Sequence, residues 1–119
     1  MSTLTSAARF ADTPEPPYYA VVFTSFRNGE DDEGYGEASA RMKAPDVQQP
    51  GYLGAESVRD AEGIGITVGY WRSEADILGW KHQAEHAATR ARGRRDWYTR
   101  YITRVAKVER AYDWFAKAP

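Results

Sequence analysis

The sequence predicts an α+β fold, a ferredoxin-like βαββαβ protomer, and three observations carry that reading. Two alternating runs are joined by a short turn that opens on an acid and closes on glycine. The hydrophobic period then switches from two to that of a helix, at a capping sequence. The first strand is apolar on both faces, so it needs cover on both.

The clearest stretch runs from Gly51 to His86. Ile64, Ile66, Val68 and Tyr70 alternate with Gly65, Thr67, Gly69 and Trp71, the period of a strand with one face buried. Leu53, Ala55 and Ser57 alternate with Tyr52, Glu56 and Val58 before it. Asp60-Ala61-Glu62-Gly63 between the runs is hairpin chemistry, because Gly takes positive φ at little steric cost. Ser73-Glu74-Ala75-Asp76 then resembles a capping box with Asp in place of Glu, and both acids suit the positive end of a helix dipole. Ile77, Trp80 and Ala84 recur at helical spacing on a helix that also carries His82 and His86.

The remaining elements fall in order around this core. Residues 1–17 mix polar and apolar types, end in Pro14, Pro16 and Pro17, and read as a flexible N-terminal arm. Tyr18–Arg27 is the first strand, with Tyr18, Ala20, Val22 and Phe26 on one face and Tyr19, Val21 and Phe23 on the other. Residues 28–34 form a polar loop whose consecutive acids lack the alternation of a calcium loop. A helix follows over Tyr35–Lys43, with Tyr35, Ala38 and Met42 on one side, and Pro45 interrupts it. A helical region from His86 to Arg100 is broken at Gly93. The last strand runs from Ile102 to Trp114, and the domain spans 18–115 with a tail over 116–119. Helices cover one face of such a sheet, and the apolar residues of the other face predict a second copy packed against it as a twofold homodimer.

Composition narrows the function. A net charge of −1 gives no general attraction to nucleic acid or to an anionic membrane. The basic cluster Arg90, Arg92, Arg94 and Arg95 beside Trp97 and Tyr98 reads as a helix end with core aromatics rather than a nucleic-acid site. The absence of cysteine excludes disulfides and thiolate chemistry and fits a reducing compartment, so the expected location is cytoplasmic. No apolar run approaches the roughly 18 residues of a membrane span, and residues 1–17 carry no apolar signal core. Gly63-Ile64-Gly65 leads into a strand rather than a helix and fails the dinucleotide fingerprint. His82-Gln83-Ala84-Glu85-His86 matches H-x-x-E-H, yet a third ligand is missing, and no metal site is assigned.

Two passages carry a resemblance. Gly69–Lys81, G-Y-W-R-S-E-A-D-I-L-G-W-K, and Gln49-Pro50-Gly51-Tyr52-Leu53-Gly54 resemble the antibiotic biosynthesis monooxygenase superfamily. The run from Trp97-Tyr98 through Tyr101, Arg104-Val105 and Val108-Glu109-Arg110 to Tyr112 is similar to its small bacterial, haem-degrading-monooxygenase-like subgroup. The resemblance implies a dimeric α+β barrel. Some members oxidise polycyclic aromatics without flavin or metal, others bind and break haem, and others have no known activity. Haem-degrading relatives carry an Asn in the first strand, a Trp in the helix and a haem-ligating His further on. Trp80 is similar to that Trp, but Arg90 stands at the His position and Asn28 lies just past the strand.

The candidate residues follow from both readings. Trp71 and Trp80 either fill the core or line a cavity for a flat aromatic ligand; Trp97, Tyr98 and Tyr101 share that choice with a dimer interface as a third option, and Phe23 is a further candidate substrate contact. Arg104 interrupts an apolar strand face and is either an edge residue or an anchor for a carboxylate or phenolate. The leading expectation is a small-molecule monooxygenase that needs no cofactor. His86 would be its acid/base group, Trp80 the catalytic aromatic beside it, and Trp71, Phe23, Tyr98, Tyr101 and Arg104 the residues that hold substrate. A haem-binding protein, with His86 as the candidate ligand, and a ligand-binding dimer without turnover are the alternatives.

Overall fold

The structure, a computed structural model, describes residues 9–28, 49–82 and 98–116. Its elements are β1 (Tyr18–Arg27), β2 (Tyr52–Arg59), β3 (Ile64–Trp71), α1 (Glu74–Lys81) and β4 (Tyr98–Val108). The strands form one antiparallel sheet in the order β2-β3-β1-β4. That order and pairing are those of the ferredoxin-like fold. The expected loop over 29–34 and helix over Tyr35–Lys43 lie outside the described residues, as does the helical region up to residue 97.

The hairpin between β2 and β3 closes as its sequence requires. Asp60 Oδ1 accepts from the N–H groups of Glu62, at 3.0 Å, and Ile64, at 2.9 Å. Gly63 turns the chain at φ +106°, where a side chain would be strained. The register that follows sets Ser57 opposite Thr67 and Arg59 opposite Gly65. Arg59 lies across the bare backbone of Gly65, where an added Cβ would meet its Cζ at 2.6 Å, and donates to the buried Ser25 Oγ at 3.1 Å. One side chain thus ties three strands together.

α1 starts where the capping sequence places it. Ser73 Oγ accepts from the Asp76 N–H at 3.1 Å and donates to Asp76 Oδ2 at 2.9 Å. His82 is the C-cap, and its N–H bonds to the Leu78 carbonyl. The helix buries Ile77 against Val21 and Trp71, with Tyr19, Tyr52 and Trp80 packed around them. The turn before β2 is fitted to this helix start. Gly51 has φ +80°, its carbonyl accepts from the Arg72 N–H at 2.8 Å, and a Cβ there would strike the Asp76 carboxylate.

Cross-strand partners share a face, which divides the sheet's residues cleanly. Tyr19, Val21, Phe23, Thr67, Gly69 and Trp71 look toward α1. Tyr18, Ala20, Val22, Val68 and Tyr70 look the other way. At the Tyr18 end of that second face the arm lies down on the sheet. The Ala11 N–H donates to Glu56 Oε2 at 2.9 Å, and Thr13 bonds to the Tyr18 hydroxyl at 3.2 Å. The Tyr70 hydroxyl donates to Glu56 Oε1 at 2.7 Å and its ring meets Tyr18 edge to face. Burial first, then the bond to Glu56 and its negative charge, and last the Tyr18 hydroxyl push the Tyr70 phenol up to about 12. At the opposite end Phe26, Val58, Ile64 and Ile66 of the same face are exposed.

The last strand differs from its expected bounds at both ends. It starts at Tyr98 rather than Ile102, because Tyr98 pairs with Arg27 across a bulge and packs on Phe23. It stops at Val108 rather than Trp114, because Val108 faces Tyr18 and the residues before Tyr18 are Pro16 and Pro17, which have no N–H to extend the ladder. Residues 109–116 follow without regular structure.

The two glycines around α1 separate two roles. Gly51→Ala should lower stability by about 1–3 kcal/mol in urea unfolding, from positive φ and the clash with Asp76. Gly79→Ala, with no atom of the described residues within 4 Å of the added Cβ, should raise it by roughly 0.5–1 kcal/mol. Equal effects at both would contradict this account. Tyr70 makes a pH prediction. A phenol whose pKa rises on folding contributes stability that is complete below the unfolded value of 10 and fades as pH climbs through about 12. The stability advantage of wild type over Tyr70→Phe should therefore shrink between about pH 9 and about pH 11.5. An advantage unchanged over that range would remove the assignment.

Candidate functional site

A cavity of about 70 Å³ opens on the helix-bearing face, walled by Val21, Phe23, Tyr52, Ala55, Thr67, Gly69, Trp71 and Trp80. Its origin is a row of small side chains. Ala55 pairs with Gly69, and Gly69 with Val21, so the sheet floor is low at that row. On one side stands Trp71, the most deeply buried large side chain, with Tyr52 edge-on at 5.4 Å and Trp80 tilted at 5.4 Å between ring centroids. Trp80 is half-buried and comes from α1, so the cavity has one wall that is not part of the sheet. The volume is short of the roughly 300 Å³ at the lower end of ligand pockets.

Phe23 connects this cavity to a second aromatic group. Its ring lies 5.8 Å from Tyr98 and 5.3 Å from Tyr101, which stand 5.6 Å from each other. The expected substrate-contacting aromatics are therefore contiguous, with Trp71, Trp80 and Phe23 on the cavity itself and Tyr98 and Tyr101 behind Phe23. Arg104 is placed apart from them. It pairs with Val22 on edge strand β4, is exposed, and so belongs to the opposite face of the sheet. His86 and Arg90 lie outside the described residues, and His82 is exposed at the end of α1.

Polar groups around the cavity are few. Thr67 Oγ1 and Ser57 Oγ share a hydrogen bond of 2.8 Å. The Trp71 indole leans back over Gly69, with Nε1 3.4 Å from where a Cβ would sit. Among the described residues no cluster of three His, Asp or Glu side chains is placed to hold a metal, and no helix is long and apolar enough to cross a membrane.

Tyr52, Ala55, Thr67 and Gly69 were not singled out from sequence. The signal that could have found them is the hairpin itself. Once Asp60 and Ile64 close it, counting outward pairs Ser57 with Thr67, and every second residue of β3 shares a face with Trp71.

The antibiotic biosynthesis monooxygenase family matches residues 17–92. An uncharacterized protein of Bacillus subtilis (strain 168), YqjZ, is 55% identical over 98 residues, which cover 82% of this chain and 85% of that protein. SnoaB, a cofactor-independent oxygenase from Streptomyces nogalater, superposes with a TM-score of 0.64 at 13% identity, over 82% of this chain and 97% of that one. PA3566 from Pseudomonas aeruginosa does so with a TM-score of 0.65 at 13% identity, over 84% of this chain and all of that one. At such identity the structural likeness establishes the fold, and the family match and the B. subtilis relative establish the lineage: the chain belongs to the antibiotic biosynthesis monooxygenase family.

Proposed function

From that membership and the aromatic-walled cavity, we propose that the protein is a cofactor-free monooxygenase acting on an aromatic or electron-rich small molecule, and that it works as a homodimer. The observation that carries the proposal is the cavity on the helix-bearing face, lined by Trp71, Trp80, Phe23 and Tyr52. Flat rings supply area and orientation to a flat ligand through stacking and edge contacts. The likeness to a cofactor-independent oxygenase supports the same chemistry. In it the deprotonated substrate gives electrons to O2, one oxygen atom enters the product and the other leaves as water. The protein's part is to take the proton, in this proposal through His86, and to keep the reacting ring dry. The lack of cysteine suits a reducing compartment, and the cytoplasm is the proposed location.

The homodimer rests on a separate observation. Phe26, Val58, Ile64 and Ile66 form an exposed apolar patch on the face away from α1, and Val22 and Val68 adjoin it half-buried. Tyr112, Trp114 and Phe115 add exposed aromatic surface beyond β4. A second sheet laid face to face covers such a patch and closes a barrel.

Two measurements test these statements. Aerobic incubation with a panel of hydroxylated naphthalenes and anthracenes should give O2 uptake with at least one, and Ala55→Leu, which fills the cavity floor, should cut kcat/KM by roughly 10–200-fold. No uptake with any member, or full activity in Ala55→Leu, would refute the site. Light scattering at micromolar concentration should give a mass near twice the 13.4 kDa of one chain, and Ile66→Glu should return it to one. A monomeric wild type would end the dimer proposal.

A further inference from the structure

We propose that a second copy of this chain docks on the face away from α1 about a twofold axis running along the strands, and that Arg104 on the β4 edge meets the partner's Glu56 on the β2 edge. This rests on the homodimer reading and gives that dimer its orientation.

One row of the sheet carries the charges. The register sets Glu56 of β2 beside Val68, Val68 beside Val22, and Val22 beside Arg104 of β4. Cross-strand partners share a face, so all four stand on the side away from α1. Nearer the hairpin the pattern repeats. Arg100 pairs with Phe26, Phe26 pairs with Ile64, and the Asp60 N–H bonds to the Ile64 carbonyl. One edge of this face is therefore acidic and the other basic, with an apolar stripe between them. Arg100 and Arg104 are both exposed. Three strand spacings, about 14 Å, separate β2 from β4, too far for side chains standing up from the sheet to meet within one chain.

The charges choose between two ways of closing the dimer. With aligned sheets, the twofold axis runs either along the strands or across them. An axis across the strands lays each edge on its own copy, arginine over arginine and carboxylate over carboxylate. An axis along the strands exchanges the edges, so that acid meets base twice. Stacked sheets lie about 10 Å apart, a gap that an arginine and a glutamate bridge end to end. Such rim charges set orientation more than strength, and the apolar stripe supplies the buried area.

The arm favours the same axis. It adds a layer above Gly54, where an added Cβ would come within 3.2 Å of Ala11 Cβ. The row of Gly54 continues through Tyr70 and ends in Ala20 and Ala106, two small residues. An axis along the strands brings the partner's arm over those two alanines. An axis across them, through the Val22 row, would lay it on Val58 and Ile66 instead.

Cross-linking tests this, and the lack of cysteine makes each introduced thiol unique. Val58 and Ile102 stand in one row at opposite edges of this face. Val58→Cys and Ile102→Cys chains, expressed separately and together, are treated with a bismaleimide spanning about 10 Å, the spacing of stacked sheets. Covalent dimer should form in the co-expressed sample about tenfold more than in either chain alone, since only facing pairs come within that span. Efficient linking of each chain to itself would set the axis across the strands and overturn the proposal while leaving the homodimer. A scattering mass of two chains with no link in any sample would do the same. A monomeric mass would overturn both. Arg104→Glu, a change at an exposed position, should weaken self-association by about tenfold or more, and Arg104→Lys should preserve it. Undiminished self-association in Arg104→Glu would overturn the pairing.

Discussion

Burial of Trp71 is the interaction on which the described architecture depends. A tryptophan removes some 150–250 Å² from water, worth about 4–6 kcal/mol at the usual coefficient. Trp71 is the last residue of β3 and is almost wholly enclosed. The helix that encloses it has eight residues, below the roughly 12–15 at which an isolated helix becomes even marginal in water. α1 therefore exists because Ile77 and Trp80 pack on Trp71 and Val21, and because its first turn is capped by Ser73 and braced at Asp76 beside Gly51. The Gly51 turn, the end of β3 and the helix start form one unit. The cavity inherits its shape from it, since Trp71 supplies the inner wall and Trp80 the outer.

A second constraint acts through β1, which is central in the sheet and apolar on both sides. The two faces meet this need differently. Toward α1, small residues at Ala55 and Gly69 prevent complete filling, and a cavity remains beside a tight core. On the other face the arm covers one end through Glu56, Tyr70 and Tyr18, and large apolar side chains at the other end stay in water. The cavity and the exposed apolar patch thus lie on opposite faces of one sheet, and a change in either face is felt at β1.

Much of this was legible in the residues. Strand alternation, the Asp60–Gly63 turn and the Ser73 cap are local chemistry, and each appears where local chemistry puts it. The bounds of β4 were not legible, because they depend on its partner. Tyr98 joins the strand through Arg27 and Phe23, and Val108 ends it because Pro16 and Pro17 precede the residue it faces. Neither fact is visible in residues 98–114 alone. The two-sided apolarity of β1 was visible, but not that the arm lies on one of its faces, which takes a glutamate forty-five residues from Ala11 to arrange.

The site was legible in its large residues and hidden in its small ones. Aromatic side chains announce themselves by type, and Trp71, Trp80, Phe23, Tyr98 and Tyr101 do come together. Arg104 announces itself by charge in an apolar run, but one register position moves it to the far face, because successive residues of a strand point opposite ways. Gly69 and Thr67 have no such signature: a glycine in a strand reads as a weak spot and a threonine as a strand former. Their significance is positional. The low floor at Ala55 and Gly69, beside Trp71 and the Thr67–Ser57 hydroxyl pair, is a relation among strand positions and their cross-strand partners. Composition cannot express such a relation, and only the register makes it physical. Residues that act by position rather than by type are found from the register, and the low cavity floor at Ala55 and Gly69 is such a case.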